Sequence, residues 1–186
     1  GRTGSNYWGF KLHDVVPDIV TIGKPLGNGH PIAAVACTIE VAEKFANGME
    51  FFNTFGGNPV SSIISQTVLE VVEDEKLQKN ALIVGNFLKN ELQILSKKYP
   101  IIGDIRGQGF FLGIELVDSN LIPLKRHASY LINRMKNHGI LMSTDGPDNN
   151  VLKIKPPLVF SIDNAKEVLF YLKKILDEDL MKDFKS

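Results

Sequence analysis

The stretch VVPDIVTIGKPLGNGHPIAAV, residues 15–35, places a single lysine between two short apolar runs. Residues 18–22 and 32–38 are rich in β-branched and small apolar side chains, so we expect two strands there. Glycine and proline fill the segment between them, which favours a tight turn. The short and apolar side chains of this turn offer the ammonium of Lys24 no anionic partner. The pattern therefore predicts a lysine held on a stiff turn between two strands.

Spacing alone leaves two interpretations of Lys24. A solvated surface lysine after a strand is common and is favoured on this evidence. A lysine that is desolvated, or placed near other cations, loses its proton more easily and can then add to an aldehyde as a Schiff base. Pyridoxal phosphate is the cofactor that uses this chemistry.

Composition narrows the possible partners. The 186 residues allow one core-forming domain or two small ones, and 21 basic residues balance 21 acidic ones. This balance gives no electrostatic reason to expect nucleic acid or an anionic membrane as partner. No apolar run approaches the roughly 20 residues that span a bilayer. A single cysteine, Cys37, excludes an internal disulfide, and we expect it to be buried in the second strand. The four histidines are too scattered to predict a metal site.

Helical and strand patterns continue along the chain. Asn58 suits a helix cap and Pro59 the first helical turn, and a second amphipathic helix is expected at 77–98. After Pro100, two strands flank a glycine-rich turn, and a final helix is expected from Asp163. We therefore predict the end of an α/β domain at residues 1–98, including the linking helix, and a smaller α+β domain at residues 99–186.

Five segments together resemble the class-III pyridoxal-phosphate aminotransferases of fold type I. The resemblance covers essentially the whole chain, in order and in spacing. The segments are GRTG (1–4), VVPDIVTIGKPLGNGHPIAAV (15–35), FNTFGGNPVSS (52–62), IIGDIRGQGFFLGIELV (101–117) and NVLKIKPPLVF (150–160). The fold implied is the end of the large domain of a PLP-transferase followed by its smaller C-terminal domain.

The resemblance implies roles for two residues. Lys24 would bind pyridoxal 5′-phosphate as a Schiff base and later move a proton between substrate and cofactor carbons. Thr54 would donate a hydrogen bond to the cofactor phosphate across a subunit interface, which implies a homodimer with a shared active site. A hydroxyl beside two glycines and near a helix N-terminus also suits an anion on physical grounds, although spacing alone favours an ordinary turn threonine.

The implied activity is transfer of an amino group from an amine or amino acid to a 2-oxo acid or aldehyde. The family also needs an acidic partner for the pyridine nitrogen, an aromatic ring over the cofactor and a phosphate-binding loop. All three would lie upstream of GRTG, so we expect this chain to be a C-terminal fragment that is inactive alone. We expect a cytoplasmic protein, with an organelle left open.

Lys153 departs from the family pattern, because many class-III members have arginine there to grip the substrate α-carboxylate in a planar fork. NVLKIKPP is similar to a branch that includes phospho-lyases. Elimination of phosphate from phosphoethanolamine or a related phosphorylated amine is therefore an alternative activity, with Lys153 as a substrate-binding residue. An edge-strand lysine in solvent is the structural alternative, and a non-catalytic dimerisation module is the alternative for the chain.

Three further signals favour structural roles. Arg106 is expected to be an ion-pair partner rather than a substrate-facing residue, and His30 a loop residue rather than a pocket residue. The segment DGPDNN, residues 145–150, lacks the spacing and terminal glutamate of a calcium loop and is expected to be a turn.

Overall fold

The computed structural model describes residues 1–180, and their contacts divide the chain into two compact units. Trp8–Leu77 form one unit. Gly1–Tyr7 and residues 78–180 form the other. This grouping differs from the predicted division at residue 98, because the helix Leu77–Lys98 shares the core of the downstream unit. The assignment of residues 1–98 and 99–186 to domains of a whole enzyme stays a prediction.

The unit Trp8–Leu77 contains a two-stranded antiparallel sheet and two helices. Its strands pair from Ile19 opposite Cys37 to Ile22 opposite Ala34, so the lysine turn connects the two strands of one hairpin. The elements are β1 (Ile19–Ile22), a 3-10 turn (Lys24–Gly27), β2 (Ala34–Cys37), α1 (Ile39–Phe45) and α2 (Pro59–Asp74), preceded by a 3-10 turn at Gly9–His13.

The start of α2 follows the predicted chemistry. The side chain of Asn58 accepts a hydrogen bond from the backbone N–H of Ser61 at 2.9 Å. Pro59 occupies the first turn, where its missing N–H leaves no bond unmade. Local sequence therefore determines where this helix begins.

The other unit is a four-stranded antiparallel sheet with helices packed on one face. The strand order is β3-β4-β6-β5. Alternation along these strands places Leu112, Ile114 and Leu116 of β4, with Leu152 and Ile154 of β6, in the core shared with the helices. Glu115 and Lys153 lie on the opposite face. The elements are α3 (Leu77–Lys98), β3 (Ile102–Gln108), β4 (Phe111–Leu116), α4 (Lys125–Asn137), β5 (Ser143–Asp145), β6 (Val151–Ile154), α5 (Ile162–Ile175) and a π-helical turn (Leu176–Leu180).

The core of this unit explains why α3 belongs to it. α3 contributes Leu88 and Leu92, which are fully buried together with Ile114 of β4 and Leu152 of β6. Leu131 of α4 and Ile175 of α5 complete the same cluster. Each fully buried side chain of this kind stabilises the folded state by roughly 1.5–3 kcal/mol relative to exposure.

The N-terminal segment packs against the hairpin between β3 and β4. The backbone N–H of Phe110 donates to the carbonyl of Arg2 at 2.9 Å. Gly109 has φ +55, and a Cβ built there would lie 2.7 Å from the carbonyl carbon of Thr3. The interpretation of this glycine-rich stretch as a tight turn is confirmed, and the turn also lets a second backbone segment approach closely.

The exposure of Cys37 differs from the expectation. The residue lies in β2 as predicted, but it is exposed rather than buried. The reason is that β1 and β2 form a sheet of two strands, and burial of a strand depends on the layers that cover it. Within residues 1–180, none of the helices is long and apolar enough to cross a membrane.

Candidate active site

Lys24 begins the 3-10 turn that follows β1. The turn is closed by hydrogen bonds from Leu26 N–H to the carbonyl of Gly23 at 3.0 Å and from Asn28 N–H to the carbonyl of Pro25 at 3.2 Å. Gly27 is buried, and a Cβ there would lie 2.7 Å from Cγ2 of Ile32. The backbone of the turn that carries Lys24 is therefore closely packed, and a residue larger than glycine at position 27 would disturb it.

The side chain of Lys24 is exposed, so its neighbours in this chain do not desolvate it. Among residues 1–180, no carboxylate lies within ion-pair distance of its ammonium. The turn therefore leaves the amine of Lys24 accessible to an aldehyde, with which its deprotonated form reacts.

His30 connects the lysine turn to helix α2. Its Nε2 lies 2.7 Å from the hydroxyl of Ser61, in the first turn of the helix. The backbone N–H of His30 also donates to the carbonyl of Gly27 at 3.0 Å. His30 therefore anchors the loop after Lys24. The expectation of a loop residue is confirmed, and the partner, 31 residues away, has no local sequence signal.

Thr54 lies in the loop that leads into α2. The side chain of Asn53 accepts hydrogen bonds from the backbone N–H groups of Phe55 at 3.1 Å and Gly56 at 3.0 Å. The amide of Asn58 donates to the carbonyl of Phe55 at 2.7 Å. These bonds hold the backbone around Thr54, whose side chain is exposed. Its hydroxyl makes no hydrogen bond to another residue in the described part of the chain.

The residues present fit pyridoxal phosphate. Lys24 offers an amine for the aldehyde, and Thr54 offers a hydroxyl near a helix N-terminus for the phosphate. Both residues belong to the same compact unit, and the turn and α2 are in contact. A metal site has no comparable support, since residues 1–180 contain no group of three or more histidine, cysteine or acidic side chains suited to a metal ion.

Lys153 lies on β6, in the other unit. Its Nζ forms an ion pair with Oδ2 of Asp145 at 2.8 Å, and the two side chains are 29% and 55% exposed. Lys153 is therefore partly buried and paired, rather than the solvated edge-strand lysine of the structural alternative. The hydrogen bond from Lys153, and then the backbone N–H of Gly146, lower the pKa of Asp145 below its ordinary value.

Lys153 also lines a cleft of about 440 Å³. The cleft lies between the segment before β5, the end of β6 and the first turns of α5, and its polar members include Lys155, Asn164 and Glu167. Its volume suits a small organic molecule, since small-molecule sites range from about 300 to 1,000 Å³. The sequence singles out Lys153 as a candidate residue but contains no signal for the cleft.

Arg106 is held on the charged face of the sheet. Its guanidinium pairs with Asp104 at 2.9 Å and also with Glu115. The hydrogen bonds that Arg106 donates to these two carboxylates, first Asp104 and then Glu115, raise its pKa. The expected structural ion pair is therefore confirmed.

The family model for class-III aminotransferases matches residues 1–176. The chain belongs to the class-III aminotransferase family. Pyridoxal 5′-phosphate is the cofactor of this family, and the expected α/β fold of the PLP-transferases is confirmed.

Curated relatives cover most of the chain. A Drosophila melanogaster protein named alanine–glyoxylate aminotransferase 2-like is 48% identical over 180 residues, 95% of this chain and 36% of the relative. A Caenorhabditis elegans protein named ethanolamine-phosphate phospho-lyase homolog 1 is 44% identical over 181 residues, 95% of this chain and 39% of the relative. The chain thus spans less than half the length of these relatives.

Solved structures give the same result. A phospholyase from Arthrobacter in complex with phosphoethanolamine is 40% identical, with a TM-score of 0.92 over 95% of this chain and 42% of that one. An amine transaminase from an uncultivated Pseudomonas species, in its PLP-bound form, is 29% identical, with a TM-score of 0.81 over 93% of this chain and 41% of that one. The chain is therefore similar in fold to both a lyase and a transaminase.

Proposed function

We propose that this chain is the C-terminal part of a pyridoxal-phosphate-dependent aminotransferase and that Lys24 attaches the cofactor. When bound, the cofactor supplies an aldehyde that combines with amines and a ring that stabilises negative charge on the adjacent carbon. The observation that carries the proposal is the position of Lys24. It is a lysine without an ionic partner in the described chain, on a turn fixed by Gly27 and by the bond between His30 and Ser61.

The predicted site residues have separate roles in this proposal. After its amine is released from the cofactor, Lys24 accepts and donates a proton at its Nζ. Thr54 donates its hydroxyl to the cofactor phosphate, and the partner subunit receives that contact, so the working protein is a homodimer. Lys153 contacts the substrate from the cleft. The reaction moves an amino group from an amine or amino acid to a 2-oxo acid or aldehyde.

Catalysis by the isolated chain is not expected. The chain spans 36% and 39% of the two curated relatives described above. By resemblance, an acidic partner for the pyridine nitrogen and a phosphate-binding loop belong to the remaining length. We therefore propose activity for the full-length protein alone, and its cytoplasmic location stays a prediction.

Covalent labelling tests the role of Lys24. The full-length protein is scanned for visible absorbance before and after borohydride reduction, then digested and analysed by mass spectrometry. We expect a cofactor band in the wild type, an adduct on the peptide that contains Lys24, and no adduct in Lys24→Ala. Lys44→Ala is the matched control, because Lys44 is an exposed lysine of the same unit. An adduct on another peptide would refute the assignment.

Phosphate elimination is the second candidate activity. Two observations favour it: Lys153 stands where a planar arginine fork is usual, and the Arthrobacter phospholyase has a TM-score of 0.92. The test supplies phosphoethanolamine to the full-length protein and measures phosphate, acetaldehyde and ammonia. Their release in equal amounts without a 2-oxo acid supports elimination, whereas turnover that requires a 2-oxo acid and an amino donor supports transamination. A protein with no cofactor band and no turnover would instead be a non-catalytic module.

A further inference from the structure

The segment DGPDNN builds a fixed carboxylate at the end of β5. The backbone N–H of Gly146 donates to Oδ1 of Asp145 at 2.9 Å, and Lys153 Nζ donates to Oδ2 at 2.8 Å. Gly146 has φ +83, and its carbonyl accepts a hydrogen bond from Asn149 N–H at 3.2 Å. The turn expected from the sequence is confirmed, and each oxygen of Asp145 has its own donor.

Strand register also brings Asp145 to Lys153. In the β5–β6 ladder, Asp145 lies opposite Val151 and Lys153 lies opposite Ser143. Asp145 and Lys153 are therefore diagonal neighbours on one face of the sheet, within reach of a long side chain. The strand register therefore places the two residues close enough for their side chains to form the ion pair.

Only one of the two residues in this ion pair lines the cleft. Lys153 lines the cleft, together with Lys155 and Glu167, whereas Asp145 lies outside the lining. The cation at the cleft wall is therefore compensated by a carboxylate that no ligand in the cleft needs to contact. Asp145 is ionised at neutral pH, as an aspartate with an ordinary or a lowered pKa is.

We propose that Asp145 is a specificity-determining residue, which weakens the attraction of Lys153 for an anionic group of a ligand in the cleft. The ligand class is an amine that carries a phosphate or carboxylate at its far end. This inference rests on the proposed function, since it takes the cleft as part of the substrate site. Asp145 acts through Lys153 and does not itself contact the substrate, so it is a positioning residue.

Charge-selective binding provides the test. Isothermal titration calorimetry on the full-length protein, with its cofactor fixed by borohydride reduction so that no ligand is turned over, measures the Kd of phosphoethanolamine and of ethanolamine, which has the same carbon skeleton without the phosphate. We expect Asp145→Asn to lower the Kd of phosphoethanolamine by about two- to fivefold, the range of a partly exposed ion pair. The Kd of ethanolamine remains unchanged, because it places no anion near Lys153.

Two variants separate this role from general effects. Asp148→Asn makes the same charge change in the same exposed turn, at a carboxylate with no ion pair among residues 1–180, and we expect no change in either Kd. In a Lys153→Gln background, Asp145→Asn loses its effect on phosphoethanolamine, since its partner is gone.

Each contrary result overturns the inference. These results are equal changes for both ligands, equal effects of Asp145→Asn and Asp148→Asn, an effect that persists without Lys153, and no binding of phosphoethanolamine to the wild type. Failure of the proposed function is seen separately, as the absence of the cofactor band and of the Lys24 adduct, and both are measured on the same protein before the titration.

Discussion

Replacement of Gly109 by alanine tests whether the first residues of the chain are part of the downstream unit. Gly109 has φ +55, where an L-residue costs about 1–2 kcal/mol. Its added Cβ would also meet the carbonyl oxygen of Arg2 and lie 2.7 Å from the carbonyl carbon of Thr3. Because both contacts are with backbone, the clash is relieved only by moving the segment, and overpacking of this kind costs about 1–3 kcal/mol more.

Gly139 provides the control. It has φ +80, and a Cβ built there has nothing within 4 Å. Gly139→Ala therefore costs the backbone strain of about 1–2 kcal/mol without the clash, whereas Gly109→Ala costs roughly 2–5 kcal/mol. Thermal unfolding of the full-length variants gives the comparison, and hydrogen exchange of the peptide around Phe110 localises it. Equal losses of stability, or unchanged exchange at Phe110, would refute the packing argument.

Two further predictions concern single hydrogen bonds. His30→Ala removes the bond to Ser61, so we expect a loss of about 0.5–1.5 kcal/mol and faster release of cofactor during dialysis; Ser61→Ala should do the same, with no added effect in the double variant. Buried Tyr99 donates to Asp177 at 2.7 Å, so we expect Tyr99→Phe to lower the free energy of unfolding by about 1 kcal/mol at neutral pH. Burial first, then the bond to Asp177, raise the pKa of Tyr99, while its lysine neighbour opposes them. The stabilisation by the hydroxyl is therefore complete below pH 10 and decreases as pH rises through the raised pKa. We expect the free energies of unfolding of wild type and Tyr99→Phe, measured by denaturant titration, to converge at alkaline pH. A difference that stays constant with pH would contradict this.

Local chemistry made much of the fold predictable. Asn58 and Pro59 give the start of α2, and the apolar stripe gives α3 its predicted limits at Leu77 and Lys98. These features depend on residues that are close in the chain. The family resemblance, carried by ordered motifs, supplied the α/β fold and the cofactor.

Other features depend on partners that are distant in sequence. The bond between His30 and Ser61 joins positions 31 apart, and that between Arg2 and Phe110 spans most of the chain. The pairing of Lys153 with Asp145 follows from a strand register that the pattern of residues does not reveal. The same limit explains the wrong expectation for Cys37, whose burial depends on neighbouring layers rather than on its own strand.

The contact between Arg2 and Phe110 has a practical consequence for anyone who wishes to excise the C-terminal unit. A truncation that starts at Gln78 would leave the Phe110 N–H without its acceptor and Gln78 without the carbonyl of Gly4. Residues 1–7 would have to be grafted back through a short linker, in place of the seventy residues that now intervene between Tyr7 and Gln78. An excised form of this unit that keeps both contacts is thus assembled from two separate stretches of the chain.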